Sequence, residues 1–420
     1  DGPLTHFASP RGEKCRLAPT KDSSTMPENF LASIYTYSWD LTDEGLDRSL
    51  NRIADIAHCD EVMLTPSYHV STYFLPHNPT RPLYYGEDGA VYFHPDYKRY
   101  FRTRIRPHVS DVVDQEGYFE RVVEAINKRG LKFSAWIVYC YNHYLARTYP
   151  EFAKHDAFGN PYLAQLSTAP PDAQEYLAAL TENIVQVYKP SAVHVESLSR
   201  LRWRYGFRNP KVLSEITDRV EFLMGLDFNP AAVAYCTKQG FDGPEFQKSV
   251  VNWLRPRLAR LPTESDRAPV DEAWIKEAFD GRLNDWLHLR RKQTTALWTR
   301  IAKIIHDGGA KIQSVLATSA SQQRTDISPS ANRYLDRVTV GPFQSVEEGK
   351  AGVQQIKGAI NEGGVVMVST QPGRMTRAEP LEEEVSIAKK SGAGGCTFYN
   401  YGLLREEQLG FVGSAIRRAA

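Results

Sequence analysis

Short apolar runs alternate with helical patterns along most of this chain, and this order constrains its fold more strongly than any other feature of the sequence. The runs are rich in β-branched and aromatic residues, which is typical of buried strands. Stops such as Lys128-Arg129-Gly130 and Asp307-Gly308-Gly309 end helical patterns just before a strand. The predicted strands are 31–39, 61–66, 132–140, 192–198, 311–318, 337–343, 365–370 and 396–401.

Eight strand–helix units in about 390 residues indicate a closed parallel barrel. A doubly wound open sheet is the alternative, but such sheets usually have about six strands. The sequence therefore predicts an α/β fold, a (β/α)8 TIM barrel with a single hydrophobic core, over residues 29–420. Residues 1–28 are rich in proline, serine and charge without periodicity, and we expect them to form an N-terminal arm.

Two long excursions interrupt the regular spacing, and both follow predicted strands. Residues 69–115 form a long loop after strand 2 that is rich in tyrosine and phenylalanine, and residues 205–290 after strand 4 contain several helical patterns. Because loops that follow strands lie at the C-terminal face of a barrel, we expect the aromatic-rich loop and the helical insertion on that face. Most of these aromatic residues are expected to pack the excursions onto the barrel, and a few to line a cleft.

Charge and composition disfavour several classes of partner. A formal net charge of +1 gives no field that would attract nucleic acid or an anionic membrane. No apolar run approaches the roughly 20 residues that span a bilayer. The five cysteines are scattered, which favours free thiols and a cytoplasmic location, unless a signal peptide preceded Asp1.

The sequence also lacks the motifs of common cofactor and metal sites. Neither GxGxxG nor GxxxxGK[ST] occurs, so no phosphate-bearing cofactor is expected. The absence of HExxH and of closely spaced His and Asp residues predicts that there is no metal.

Glu196 is the most informative residue at a strand end, where the catalytic groups of barrels lie. In the run 192–196 alternate side chains face the same way, so His194 and Glu196 share one side of the strand. A carboxylate inside a barrel is costly unless it is paired or functional. We therefore predict that Glu196 is catalytic, with an ion pair to Arg200 or Arg202 as the alternative. His194 is expected to be a hydrogen-bonding residue of the core.

The second carboxylate that glycoside cleavage normally needs is less clear. The candidates are Asp326 after strand 5 and Asp40 after strand 1, although Asp40 could equally cap a helix and Asp326 could stand in a turn. Strand 7 ends in Gln371, which departs from barrels that place a nucleophilic glutamate there. A substrate-assisted reaction needs only one carboxylic acid, with Tyr399 or Asn142 orienting an acetamido group of the sugar.

Other residues at the strand ends suit a polyhydroxylated, neutral ligand. Flat aromatic faces contact the C–H surfaces of sugars, and planar polar groups hydrogen-bond the hydroxyls. The predicted substrate-binding residues are Tyr37, Trp39, His69, Tyr141, Asn142, His143, Arg202, Gln371 and Tyr399.

Scattered blocks over roughly residues 30–405 resemble a group of barrel proteins known only as glycoside hydrolase-like. The blocks are Trp136–His143, Tyr149-Pro150-Glu151, Asp156–Tyr162, Val193–Glu196, Met224–Asn229 and Phe398–Gly402. The resemblance implies a TIM barrel and a sugar substrate, with Asn142, His143 and Glu196 in the site. It implies no particular reaction.

This chain departs from that group after strand 4, where relatives carry further His and Glu residues. It has Arg200, Arg202, Trp203 and Arg204 instead. Because guanidinium groups bind carboxylates in a bidentate fork, an acidic sugar is one hypothesis. The alternative is that the arginines tie the insertion to the barrel through ion pairs.

Together these features predict a glycoside hydrolase that acts on an oligo- or polysaccharide through Glu196 and a second carboxylate, or with assistance from the substrate. The alternative is a non-catalytic carbohydrate-binding or degenerate barrel. An isomerase or lyase that uses a metal is a third hypothesis, which the lack of clustered ligands disfavours.

Overall fold

The structure of the chain, a computed structural model, describes residues 30–113, 117–206, 211–318 and 326–419. A closed ring of eight parallel strands forms its centre, because the first strand pairs with both the second and the last. The strands are β1 (Leu31–Thr36), β2 (Glu61–Ser67), β3 (Lys132–Val138), β4 (Ala192–Glu196), β5 (Lys311–Ser314), β6 (Arg337–Val340), β7 (Val365–Thr370) and β8 (Gly395–Phe398). The predicted (β/α)8 barrel is confirmed, and the open sheet is excluded. The predicted arm, residues 1–28, lies outside the described residues.

Helices surround the barrel and connect its strands. They are α1 (Ser38–Glu44), α2 (Leu46–Asn51), α3 (Tyr118–Lys128), α4 (His143–Thr148), α5 (Pro171–Tyr188), α6 (Asp218–Met224), α7 (Pro230–Lys238), α8 (Gly243–Leu258), α9 (Glu272–Glu277), α10 (Arg282–Asp307), α11 (Val346–Lys357), α12 (Glu379–Lys390) and α13 (Glu406–Ala419). Helix α3 shows why they pack as they do. Its buried residues Phe119, Val122, Val123 and Ile126 recur every three to four positions, so they form one apolar face.

The barrel interior is charged at its N-terminal end. Arg337 at the start of β6 donates to both carboxylate oxygens of Glu61 at the start of β2, at 2.9 and 3.0 Å. Both side chains are buried. A buried charge is strongly destabilising unless it is paired and hydrogen-bonded, so each residue makes the burial of the other tolerable.

The aromatic-rich excursion after β2 contains regular structure. A hairpin of Thr72–Phe74 and Leu83–Tyr85 pairs Tyr73 with Tyr84 and turns both rings inward. Each ring lies 5.0 Å from the fully buried ring of Trp39. Two further short strands, Ala90–Val91 and His108–Val109, extend the sheet from β2. These inward rings pack the excursion onto the barrel.

Two carboxylates of α1 bind side chains of the same excursion. Asp43 accepts two hydrogen bonds from the Arg81 guanidinium, at 2.6 and 2.7 Å. Glu44 lies 2.9 Å from the imidazole of His77. Glu44 also accepts a hydrogen bond from Arg52, which directly follows α2. The α1 carboxylates are therefore used to anchor a loop.

The helical insertion after β4 has a hydrophobic core of its own. The rings of Phe228, Phe246 and Trp286 lie within 4.9 to 5.9 Å of one another, among apolar residues of α6 to α10. A hairpin of Ala153–His155 and Pro161–Leu166 follows β3 beside this cluster. The single core expected from the sequence is therefore wrong, because the insertion helices bury their apolar faces against one another.

Two smaller findings concern the cysteines and the membrane. Cys59, Cys140, Cys236 and Cys396 are buried and have free thiols. In the described ranges, no helix combines the length and the hydropathy that crossing a bilayer requires.

Removing one partner of the Glu61–Arg337 pair is expected to be far worse than removing both. The Arg337→Met substitution leaves a buried, unpaired carboxylate and should lower the free energy of unfolding by about 3–5 kcal/mol. The double variant Glu61→Leu with Arg337→Met should recover most of that loss. Urea denaturation of the three proteins measures both effects, and a double variant as unstable as the single one would contradict this account.

Candidate functional site

Glu196 is the last residue of β4, and its side chain lies inside the C-terminal end of the barrel. The indole N–H of Trp136, on the neighbouring strand β3, donates to Glu196 Oε2 at 2.6 Å. Burial raises the pKa of Glu196 above its ordinary value of 4.5, and the Trp136 hydrogen bond opposes part of that rise. Immediately afterwards Ser197 turns the backbone into the left-handed region, with φ of 58°. Such strain at a non-glycine residue is common at functional sites.

His194 lies one layer deeper on the same side of β4. Its Nδ1 is 2.7 Å from the hydroxyl of Tyr35 on β1, and burial lowers the pKa of His194 to about 4. The imidazole is therefore neutral at neutral pH and acts as a hydrogen-bonding group. The Tyr35 ring packs edge-on against Trp136 with 5.0 Å between centroids, which holds the indole towards Glu196.

Three tyrosines from different strand ends meet above this layer. The hydroxyl of Tyr37 lies 3.0 Å from that of Tyr399 and 3.4 Å from that of Tyr68. Burial raises the pKa of Tyr68 and Tyr399, and the charge of Glu196 adds to the rise in both. The tyrosines therefore stay protonated near the carboxylate, where they can donate or accept hydrogen bonds.

A second group of rings continues from Tyr68 towards the rim of the barrel. His69 stacks on Tyr68 at 4.3 Å and lies 4.4 Å from Tyr141, which in turn lies 5.2 Å from His143 and 4.9 Å from Tyr205. We call the rings of Tyr35, Tyr37, Tyr68, His69, Trp136, Tyr141, Tyr205 and Tyr399 the aromatic wall.

Sequence reasoning singled out neither Trp136 nor Tyr205. Trp136 shares the inward side of β3, so strand alternation could have identified it. Tyr205 follows an irregular segment, and no spacing in the sequence predicts that burial and the Glu196 charge together raise its pKa.

Neither candidate for the second carboxylate reaches Glu196 through any contact in the described structure. Asp40 is the third residue of α1 and accepts the backbone N–H of Tyr37 at 3.1 Å, so it caps the helix. Burial raises the pKa of Asp40 well above its ordinary value. Asp326 is buried and accepts two hydrogen bonds from Arg200, at 3.0 and 3.2 Å. Both aspartates therefore have structural partners.

Two of the predicted substrate-binding residues, Trp39 and Asn142, are packed against or hydrogen-bonded to other parts of the protein. Trp39 is fully buried and stacks behind Tyr37 at 4.4 Å. Asn142 caps α4, accepting the backbone N–H of Leu145 at 2.8 Å and donating to Gly89 at 3.0 Å. These side chains support the aromatic wall and do not form its surface.

The other predicted residues lie nearer the rim. His143 is buried 3.6 Å from Asp88. Gln371 is half-buried directly after β7, where the backbone of Tyr399 bonds that of Thr370.

The arginines after β4 bind carboxylates of the protein. Arg200 pairs with Asp326, while Arg202 and Arg204 both pair with Glu221 on α6, at 3.2 and 3.3 Å. The hypothesis of an acidic sugar therefore loses its support, and the arginines tie the insertion and the β5 side of the barrel together.

Two concavities bear on where a ligand could bind. A cavity of 140 Å³ opens at the ends of β4 and β5, with Glu196 and His194 in its lining. A larger concavity of 750 Å³ lies on the insertion, but of the described residues that line it only His155 and Lys238 are titratable. The smaller cavity differs in that its described lining includes Glu196, a carboxyl group of raised pKa. Among the described residues, no group of three or more His, Cys, Asp or Glu side chains is placed to hold a metal.

Comparisons with known proteins agree with the barrel. No protein-family model matches the sequence, and no curated protein is significantly similar to it. Among solved structures, an α-L-fucosidase from Paenibacillus thiaminolyticus has a TM-score of 0.54 at 11% identity. The match covers 93% of this chain and 49% of the fucosidase chain. This chain thus spans about half the length of that fucosidase.

Two further glycosidase structures are similar over most of this chain. The catalytic domain of a β-amylase from Paenibacillus polymyxa has a TM-score of 0.51 at 12% identity and covers 94% of this chain and 100% of its own. A β-galactosidase from Halorubrum lacusprofundi has a TM-score of 0.51 at 11% identity, and the match covers 93% of this chain and 58% of the galactosidase. At these identities the likeness establishes a shared (β/α)8 fold.

The Glu196→Gln substitution is expected to stabilise the protein at neutral pH. Because the pKa of Glu196 is higher in the folded than in the unfolded chain, its effect on stability is absent at low pH, where both states are protonated. As the pH rises through the folded-state pKa, the ionised carboxylate increasingly destabilises the fold. The urea midpoint of E196Q should exceed that of the unaltered protein at about pH 7 and converge with it at about pH 4.

The exposed Glu245 on α8 supplies the matched control, because Glu245→Gln makes the same chemical change at the surface. Because this change removes only an exposed ion pair with Lys248, the midpoint of E245Q at about pH 7 should shift far less than that of E196Q. A lower midpoint for E196Q at neutral pH would show that the ionised carboxylate is instead stabilised by its surroundings.

Proposed function

We propose that this protein is a glycoside hydrolase in which Glu196 is the general acid. The observation that carries the proposal is the position of Glu196, a half-buried residue with a carboxyl group of raised pKa at the C-terminal end of the barrel, beside the aromatic wall. Barrel enzymes carry their catalytic groups at this face. A carboxyl group whose pKa is raised by burial is suited to protonate the oxygen of a leaving group.

The aromatic wall supports a carbohydrate as the substrate. Rings such as Tyr141 and Tyr205 offer flat faces near the rim, and the hydroxyls of Tyr37, Tyr68 and Tyr399 offer donors and acceptors deeper in the site. Ligand sites usually combine apolar and aromatic walls with a few polar groups. The three glycosidases described above share this barrel, which agrees with the proposal.

A substrate-assisted reaction fits the surroundings of Glu196 best, because Asp40 and Asp326 are engaged elsewhere. In such a reaction a carbonyl oxygen of the substrate forms a bond to the anomeric carbon as the bond between that carbon and the leaving-group oxygen breaks. Glu196 gives its proton to the leaving-group oxygen. Water then attacks the anomeric carbon, the internal bond reopens, and the water's proton returns to Glu196. Tyr399 would orient the participating substituent, since Asn142, the other candidate, is held as a helix cap.

The alternative is a carbohydrate-binding barrel without turnover. In the described part of the chain no second carboxylate contacts Glu196, and this observation favours the alternative. The two functions differ in a simple way, because the binding protein retains affinity for glycans but releases no product.

The decisive experiment is a screen of aryl glycosides and oligosaccharides for product release. If the protein is a glycosidase, Glu196→Gln should lower kcat by about 10²–10⁴-fold, the usual contribution of a general acid, and leave binding nearly unchanged. Glu245→Gln should leave kcat unchanged. Glycan binding without turnover by the unaltered protein would overturn the proposal and establish the alternative.

A further inference from the structure

The cavity at the ends of β4 and β5 differs in character from the aromatic wall. Its volume is 140 Å³, and it is partly enclosed between the Glu196 strand end and the outer helix α10. That is roughly ten times the ~10–15 Å³ that a single water molecule needs. It is well below the ~300–1,000 Å³ of sites that enclose whole small ligands. The size therefore fits one substituent of a ligand whose main body lies elsewhere.

Part of the lining is apolar and suited to a methyl group. Trp298 from α10 and Leu335 are buried there, and Ala331 in the short helix Pro329–Tyr334 adds a small buried face. Leu316 and Ile327 also contribute apolar atoms. A cavity lined only by such groups would favour an alkyl substituent.

The lining also contains polar groups. Ser314 donates its hydroxyl hydrogen to Val195 at 2.9 Å, so its oxygen can accept a hydrogen bond from an N–H group. Ser197 and Ser199 add two more hydroxyls from the segment directly after Glu196. The Asn332 side chain accepts a hydrogen bond from the backbone N–H of Ala317 at 2.9 Å and donates one to its carbonyl at 2.8 Å. These two bonds fix the shape of this part of the cavity.

We propose that this cavity binds the acetamido group of an N-acetylated amino sugar whose ring lies against the aromatic wall. The methyl group packs on Trp298 and Ala331, and the amide N–H donates to a serine hydroxyl. An acetamido group has one apolar end and one polar end, and the cavity lining contains both apolar and hydrogen-bonding side chains. The inference rests on the proposed function and names the substrate class for the same site.

Other occupants fit the cavity less well. A hydroxyl group would leave most of the volume empty beside an apolar wall. A cluster of water molecules would lie against Leu335 and Ala331, whose side chains offer no hydrogen bonds, and against the ring of Trp298, which has a single N–H donor. A carboxylate would stand beside Glu196 without a cationic side chain in the described lining.

The test compares N-acetylated with unsubstituted substrates. The probes are the 4-nitrophenyl glycosides of N-acetylglucosamine and of glucose, in both anomers. The unaltered protein should prefer the N-acetylated compound in kcat/KM by about 10-fold or more, the range expected of a well-filled pocket. Ala331→Leu fills the cavity from an apolar part of its lining and should abolish that preference, because it lowers kcat/KM for the N-acetylated compound more than for the glucoside.

Two further variants guard against a folding defect. Ala317→Leu fills the cavity from a half-buried position and should have the same effect as Ala331→Leu. Ala234→Leu makes the same change in the concavity on the insertion and should have none. If both cavity variants leave the preference unchanged, or slow both substrates equally, the cavity holds water and the inference is overturned.

Binding measurements separate this inference from the proposed function. Calorimetry can compare N-acetylglucosamine oligosaccharides with their de-N-acetylated counterparts. If no glycoside is hydrolysed but the acetylated oligosaccharides bind more tightly, and Ala331→Leu removes that difference, the cavity inference stands while the glycosidase proposal fails. If glucosides are hydrolysed and acetylated sugars are not preferred, the proposed function stands and the cavity inference fails. If no glycan is bound or hydrolysed, both fail.

Discussion

Closing eight strands into a ring forces every second side chain of each strand into one narrow interior, and the Glu61–Arg337 ion pair shows what that requires. The two residues begin strands that are not neighbours, and they are 276 positions apart in sequence. Each charge can be buried only because its partner, on the other strand, lies at the same level of the barrel. Barrel closure thus comes first, and every inward polar group depends on it.

The same closure explains the chemistry at the opposite end. Among the residues that the structure describes, no guanidinium pairs with Glu196, and the indole of Trp136 donates to its carboxylate. A single neutral donor stabilises the ionised form less than a cation would, so burial still raises the pKa of Glu196. The N-terminal carboxylate is paired with a guanidinium, whereas the C-terminal one accepts a hydrogen bond from a neutral indole and keeps a raised pKa.

Much of the barrel and the core of the site could be predicted because both depend on local periodicity. Strand alternation indicated β4 and the inward direction of Glu196, and it would equally have indicated Trp136. Asp326 could not be assigned in this way, because its partner Arg200 lies 126 residues away. The sequence also gave no indication that Trp39 would be covered by the hairpin of Thr72–Phe74 and Leu83–Tyr85, since that cover depends on how the excursion folds back.

Charges between the barrel and the insertion explain why the segment after Glu196 is held firmly. Arg200 binds Asp326 and the backbone of Gly225, while Arg290 on α10 binds Asp227 at 3.0 Å. Lys154 lies buried beside them, with its ammonium group towards the carbonyls of Leu201 and Gly225, and burial lowers its pKa to about 7.

Each of these contacts fixes the loop after β4, the insertion or both. Because the loop begins at Glu196, its attachment limits how far the carboxyl group and the adjacent cavity can move relative to the aromatic wall. The arginines that suggested an acidic ligand therefore bind carboxylates of the protein itself, and they hold Glu196 and the adjacent cavity in place relative to the aromatic wall.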